Sequence, residues 1–251
     1  MAKVCIGIDI GGTGIKGALV DVKKGELVGE RVRVETPTGG RPDDIARVVH
    51  DLIMILDPDK TAEAVGICFP AVVQHGVTLS AANVSSEWIK LDADDLFTRK
   101  VGREVHVIND ADAAGVAEMK FGVGRKEKGL TILTTLGTGI GTALFIDGEL
   151  VPNTELGHLE IEGVDYETKA AFSAKEREDL SWEQWAARLQ TYYSKLEALF
   201  TPDLFIVGGG VSKEHEFFLP LLHLKTKIVP ATLKNNAGII GAAKLASKSK
   251  K

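Results

Sequence analysis

The chain has 251 residues, 44% of them hydrophobic and 26% charged, enough to bury one large or two modest cores. Its net charge of −5 argues against bulk nucleic-acid binding, and two cysteines, Cys5 and Cys68, make neither a disulfide framework nor a cysteine zinc cluster. The start MAKVCIGIDIGG has no apolar signal core, and no run approaches the roughly 18 apolar residues of a membrane span, so a cytoplasmic protein with no membrane partner is expected.

In chain order, VCIGIDI (4–10), IKGALVDV (15–22) and ELVGERVRVE (26–35) read as three antiparallel strands joined by tight turns at GGTG and VKKG. A helix starting at Pro42-Asp43-Asp44 carries Ile45, Val48, Val49, Leu52 and Leu56 on one face and stops at Pro58. A strand at 63–69, a short helix near 94–100, a strand at 104–109 and an Ala-rich helix from 111 follow. The order then repeats. Strands at 130–136, 141–146 and 149–155 make a second meander, and a helix from Ser181 to Phe200 opens on a Ser181–Gln184 capping box and ends before Pro202. DLFIVGG and KTKIVPA supply two more strands and AGIIGAAKLA the last helix, so each half reads β-β-β-α-β-α-β-α.

The repeat reaches the letters themselves: GTGIKGALVDVKKGELV (12–28) returns as GTGIGTALFIDGELV (137–151). A constant offset sets Asp9 and Lys16 of the first copy against Thr134 and Gly141 of the second. Two such units side by side would put two Gly-Thr turns across one cleft. Glycines there let backbone N–H groups approach an anion with no Cβ between, and with Thr13 and Thr138 both retained the pair suits a run of phosphates; a single such turn would only be a tight hairpin. Residues 12–17 also fit G-x-G-x-x-G, with Glu35 about 20 residues on, the signature of an NAD-dependent dehydrogenase. A Rossmann loop must open a helix, however, whereas ALVDVKKGELV continues as strand, charged turn and strand. The P-loop pattern fails because Gly17 follows Lys16. Asp110, between a strand end and a helix start where open sheets place ligands, suits either an N-cap or a catalytic base.

Asp9-Ile10-Gly11-Gly12-Thr13-Gly14-Ile15-Lys16 resembles the D-x-G-G-T-x-x-K phosphate motif of the ROK branch of the actin/hexokinase-like sugar kinases. INDADAAGVAE (108–118), TLGTGIGTAL (135–144), PNTELGHLEI (152–161), FIVGGGVS (205–212) and AGIIGAA (237–243) follow in that family's order over essentially the whole chain. SAANVSSEW (80–88), ELGHLEI and DLFIVGGGVSK resemble its polyphosphate glucokinases, the strict polyphosphate glucomannokinases included.

The resemblance implies an α/β fold of two actin/RNase H-like βββαβαβα domains with a central cleft: an N-terminal domain 1–110, with a helix of about 236–247 packing back on it, and a C-terminal domain 111–235. It implies transfer of the terminal phosphoryl group of polyphosphate, with ATP as a second donor, to the 6-hydroxyl of glucose or mannose. Asp110 would be the catalytic base. Asn83, Asn109, Asp110, Glu155, His158 and Glu167 would hold the sugar, Glu167 by likeness of ETKAAFS (167–173) to the family's closing E-x-x-A-S segment. Gly11, Gly12, Thr13, Gly14, Lys16, Gly137, Thr138 and Gly139 would cradle phosphates, and Asp9 would orient Mg²⁺ through water. The cysteines of the family's zinc loop are missing, so no zinc is expected. Gly208, Gly209 and Gly210, with Lys213, are the expected donor wall, and Lys16, Lys213, Lys234 and Lys244 the candidates for a cationic path. A homodimer follows by family analogy. Three other readings compete: an ATP-dependent ROK glucokinase or other hexose kinase, a non-catalytic sugar-binding protein, and the dehydrogenase above. Asp9, Lys16 and Asp110 together would be superfluous for a mere binder. A ROK repressor carries a helix-turn-helix ahead of the sugar domain, and here the first strand begins by Val4.

Overall fold

The computed structural model describes residues 3–81 and 83–248, which divide into two compact units, one up to 117 together with the segment from 236, the other 118–235. The first opens on a meander of β1 (Val4–Ile10), β2 (Gly14–Asp21) and β3 (Glu26–Glu35). Then come α1 (Pro42–Leu56), β4 (Val65–Phe69), a small hairpin of β5 (Val73–Gln74) and β6 (Val77–Thr78), α2 (Ala93–Val101), β7 (Val105–Asn109) and α3 (Asp110–Phe121). The five-stranded sheet has the order β3-β2-β1-β4-β7, with β4 parallel to both β1 and β7.

Both faces of this sheet are covered, which is why β1 reads as an almost unbroken apolar run. Ile6, Ile8 and Ile10 join Ile45, Val49 and Leu52 of α1 in a core that also takes Phe69, Trp88 and Phe97. Full burial of each such side chain contributes about 1.5–3 kcal/mol. The other face receives the last helix, α7 (Ala237–Ala246), which packs on β1 and β4. Its backbone comes so close that a Cβ on Gly7 or Gly66 would run into the carbonyl oxygen of Ile239 or Ala242.

In the second unit β8 (Leu130–Leu136), β9 (Ile140–Ile146) and β10 (Glu149–Val151) form the corresponding meander. A hairpin of β11 (Glu160–Ile161) and β12 (Val164–Asp165), short helices α4 (Glu167–Ala170) and α5 (Phe172–Arg177), α6 (Trp182–Phe200), β13 (Leu204–Gly208) and β14 (Lys227–Pro230) complete it. The sheet order β10-β9-β8-β13-β14 repeats that of the first unit strand for strand. α6 opens on the expected capping box, Ser181 with Gln184, and buries Trp185, Leu189, Tyr192, Tyr193 and Leu196.

Three expectations need correcting. The strand read over 149–155 ends at Val151, because Pro152 has no N–H to donate and Asn153 turns the chain with φ +56°. The helix required between β13 and β14 is a run of 3-10 turns, Gly210–Phe217 and Leu219–Leu221. The constant offset of the repeat also fails by one residue. Ile10 pairs with Ile15 around residues 11–14, while Leu136 pairs with Ile140 around 137–139, so the second turn is one residue shorter. Asp9 pairs with Lys16 and Thr135 with Gly141, making Thr135 the counterpart of Asp9. Thr134 faces the core, where its hydroxyl meets that of Tyr193 at 2.6 Å. Among the described residues no helix is long and apolar enough to cross a membrane.

Candidate active site

In the first unit, antiparallel register brings Asp9 and Lys16 side by side at the open end of the β1–β2 hairpin, Lys16 Nζ donating to Asp9 Oδ2 at 3.3 Å. The other carboxylate oxygen, Oδ1, accepts from the thiol of Cys68 at 3.5 Å. Burial, then the charges of Asp9 and Asp110, push that thiol well above its usual pKa, so it stays protonated and able to donate. Cys68 was expected only as a core thiol; it is buried, and it also supports the carboxylate.

The turn itself is closed by Gly11 N–H to Gly14 O at 3.0 Å and braced from β3 and its end. Thr36 donates to Gly11 O, and the Arg33 guanidinium donates to Thr13 O at 3.1 Å. A Cβ on Gly14 would collide with that guanidinium. Asn83, exposed and held at φ +43°, lies over the same turn, its Cβ 3.2 Å from where a Cβ of Gly12 would stand. The run 12–17 leads into β2 and opens no helix, so the dinucleotide fingerprint lacks its context.

Asn109 ends β7 and Asp110 begins α3. The cap role falls to Asn109: its Oδ1 accepts from Ala111 N at 2.8 Å and Asp112 N at 3.0 Å, and its Nδ2 donates to Ala71 O at 3.0 Å. One Nδ2 hydrogen of this buried amide is left over for a ligand. Asp110, half-buried, accepts from Ala111 N at 2.8 Å through Oδ1. Asp9 and Asp110 thus both stand near Cys68, whose thiol registers the charge of each.

The second unit builds its turn differently. Gly137 N–H bonds to Gly139 O at 3.0 Å, and α4 and α5 brace it: Ser173 Oγ donates to Thr138 O at 2.6 Å, Ser173 N to Gly137 O at 3.0 Å, and Glu167 Oε2 accepts from Ile140 N at 2.7 Å. A Cβ on Gly139 would strike the Glu167 carboxylate. Glu167 therefore clamps the turn with one oxygen.

Glu155 and His158 flank a single 3-10 turn, Leu156–His158, laid against the start of β9. Gly157 permits the contact, since a Cβ there would meet the carbonyl of Ile140. Thr142 Oγ1 accepts from Leu156 N at 3.0 Å, and Tyr192 of α6 donates to Leu156 O at 3.1 Å. Crowding of its carboxyl raises the pKa of Glu155, His158 opposing and Glu167 adding to the shift. His158 Nδ1 lies 2.9 Å from Asp165 Oδ2, and since a carboxylate only accepts, Nδ1 carries the proton. That bond first, then the charges of Glu167, Asp165 and Glu155, raise the His158 pKa above 6.5 against desolvation. Asp165 went unnoticed in the sequence; it also accepts from Glu167 N at 3.2 Å, tying the histidine to the helix that braces the turn.

Gly209, at φ +82°, packs on Leu136 immediately before that turn, and Ser212 Oγ donates to Gly209 O at 2.8 Å. A Cβ on Gly210 would meet open space. Lys213 and Lys234 are exposed. Lys244 is bonded to Val22 O at 3.0 Å, just beyond the end of β2 away from the phosphate turn, and is not gathered with Lys16.

Comparison with known proteins agrees with this geometry. The ROK family profile matches residues 5–171. Polyphosphate glucokinase of Mycobacterium tuberculosis is 43% identical over 238 residues, 94% of this chain and 89% of that protein. The inorganic polyphosphate/ATP-glucomannokinase of Arthrobacter sp. strain KM superposes with a TM-score of 0.92 at 54% identity, covering 97% of this chain and 98% of that one. A ROK family glucokinase from Streptomyces griseus, solved with glucose and AMPPNP, gives 0.82 at 25% identity over 98% and 100%. With the duplicated strand order and the Asn109-Asp110 pair in place, the chain belongs to the ROK family.

Proposed function

We propose that this protein is a polyphosphate glucokinase: it transfers the terminal phosphoryl group of inorganic polyphosphate, or of ATP as a second donor, to the 6-hydroxyl of glucose, with mannose as a second acceptor, giving the sugar 6-phosphate. The observation that carries this reading is the 54% identity over nearly the whole chain to an enzyme named for both donors and both sugars.

Phosphoryl transfer of this kind needs a base for the hydroxyl, positive charge by the phosphates and donors for the equatorial oxygens. Asp110 is the base, taking the hydroxyl proton as the oxygen attacks the terminal phosphorus. In the first unit Lys16 leaves its pairing with Asp9 for the donor phosphates, backbone N–H groups of residues 12 and 13 meet phosphate oxygens, and Asn83 and the remaining Asn109 hydrogen orient the sugar. In the second unit the 137–139 turn offers neutral donors, Glu155 and His158 Nε2 take sugar hydroxyls, and Glu167 keeps one oxygen for the sugar while the other holds Ile140. Residues 208–210 form the donor wall of this reading, the open space beside Gly210 leaving room for it.

A divalent ion fits the first turn. Mg²⁺ is usually held by one or two carboxylates, waters and substrate phosphates, and Asp9 is one half-buried carboxylate at a phosphate turn. Among the described residues no three His, Cys, Asp or Glu side chains gather to hold an ion unaided. When bound, Mg²⁺ supplies charge neutralisation on the transferred group. A homodimer is part of the same reading, tested by sedimentation.

The test is sugar 6-phosphate formation by purified protein in a matrix of polyphosphate or ATP against glucose or mannose. Turnover of polyphosphate with glucose is expected; activity with ATP and none with polyphosphate would overturn the donor assignment.

A further inference from the structure

The edge strand β3 holds cations that neither phosphate turn accounts for. Arg33 is the cross-strand partner of Lys16, so both side chains stand on one face, which they share with Asp9. Like charges opposed across neighbouring strands repel, and Asp9 neutralises only Lys16. No carboxylate lies within ion-pair distance of Arg33 among the described residues. The burial pattern of β3 confirms which way these residues point: Val32 and Val34 pack on the core, while Arg31, Arg33 and Glu35 are exposed on the other face.

Arg33 is also pre-set. Its guanidinium lies on Gly14 with one N–H given to Thr13 O, which commits one of five donors and fixes the plane at the mouth of the turn. A planar fork held this way matches phosphate oxygens better than a mobile ammonium. Two residues on, about 7 Å along the strand, Arg31 presents a second guanidinium on the same face, one nitrogen bonded to Asn236 Oδ1 at 3.0 Å. In the opposite direction Glu35, paired with Gly14, closes the row with a negative charge. An anionic chain anchored at Lys16 is therefore drawn along β3 toward Arg31 and turned away from Glu35.

We infer that Arg33, with Arg31 beyond it, binds the internal phosphates of an inorganic polyphosphate chain whose terminal group sits at the 11–14 turn. The inference rests on the proposed polyphosphate activity and gives the chain its path. Lys213, Lys234 and Lys244 are not needed for it.

The test compares wild type with Arg33→Gln, Arg33→Lys and Arg31→Gln, using polyphosphate of defined length. Gln at 33 removes the charge and, being two bonds shorter than the guanidinium, also tests the brace, so melting temperature and glucose KM are read beside the donor KM. Expected are a rise of about tenfold in the polyphosphate KM for Arg33→Gln with a weaker salt dependence, a smaller rise for Arg31→Gln, and substantial recovery in Arg33→Lys. Glucose KM and melting temperature should stay at wild-type values. An unchanged polyphosphate KM in Arg33→Gln, or equal losses for donor and glucose together with a lower melting temperature, would overturn the inference and leave Arg33 as a brace of the turn. If wild type shows no polyphosphate turnover, the polyphosphate donor assignment fails instead. Equilibrium binding of the same polyphosphate to wild type and Arg33→Gln then decides separately: tenfold weaker binding in the variant upholds the inference, and equal binding or none to either protein overturns it.

Discussion

Asn109 commits three of its four amide hydrogen bonds to its own unit, two to the start of α3 and one to Ala71. Asp110, next to this cap, is the base of the proposed reaction. Replacing Asp110 by Asn keeps size and most of the local bonding, so the melting temperature should hold while turnover falls ~10²–10⁴-fold, the usual share of a general base; near-full turnover in a folded variant would remove Asp110 from the role. A second residue-scale prediction concerns His158. Its raised pKa comes first from Asp165, and the groups facing it are Asp165, Glu155 and Glu167. Because its folded pKa lies above 6.5, any stability from the ion pair is present at lower pH and lost as pH rises through the folded value; both partners are about half exposed, so that share is small. If His158 binds the sugar as proposed, the inflection of glucose KM with pH assigned to it should lie above 6.5 and move down in Asp165→Asn. The residue types of Glu155 and His158 were readable in the chain, in register with a known motif. Asp165 was not, because its partner is reached through a hairpin of two-residue strands that leaves no periodic signal.

At the scale of elements, alternation and capping signals placed the meanders and α6, which follow from local chemistry. Turn length escaped, since GTGI reads alike whether it sits in a turn of residues 11–14 or of 137–139, and only pairing shows that Thr135 answers Asp9. The braces of the turns escaped too: Thr36, Arg33, Ser173 and Tyr192 are ordinary residues made informative by contact. Gly157 tests how tightly one element is seated. A methyl group there meets backbone, the Ile140 carbonyl, which cannot rotate aside. Gly157→Ala should cost about 1–3 kcal/mol, seen as a drop of several degrees in melting temperature, with a glucose KM raised about tenfold or more. Unchanged values of both would mean that the Glu155–His158 turn is not held as described. Glu118 is the corresponding test for α3: fully buried, its carboxylate accepts from Val123 N, Thr232 N, Thr232 Oγ1 and Leu233 N. Glu118→Gln turns an amide N–H against one of those donors, and a loss of about 3 kcal/mol in denaturant unfolding is expected.

For the molecule as a whole, the duplicated sheet order matches the doubled Gly-Thr turn of the sequence. The first copy sets Asp9, Lys16 and Arg33 on neighbouring strands where the second sets Thr135 and Gly141, so in the proposed reaction the first unit handles charge. The central claim is that a sugar hydroxyl attacks the end of a polyphosphate chain. It is tested most directly by incubating the purified protein with Mg²⁺, polyphosphate as the sole donor and glucose carrying ¹⁸O at position 6. The account predicts glucose 6-phosphate that keeps the label in its ester oxygen, with polyphosphate shortened from its end. Absence of product without nucleotide, or product that has lost the label, would contradict it.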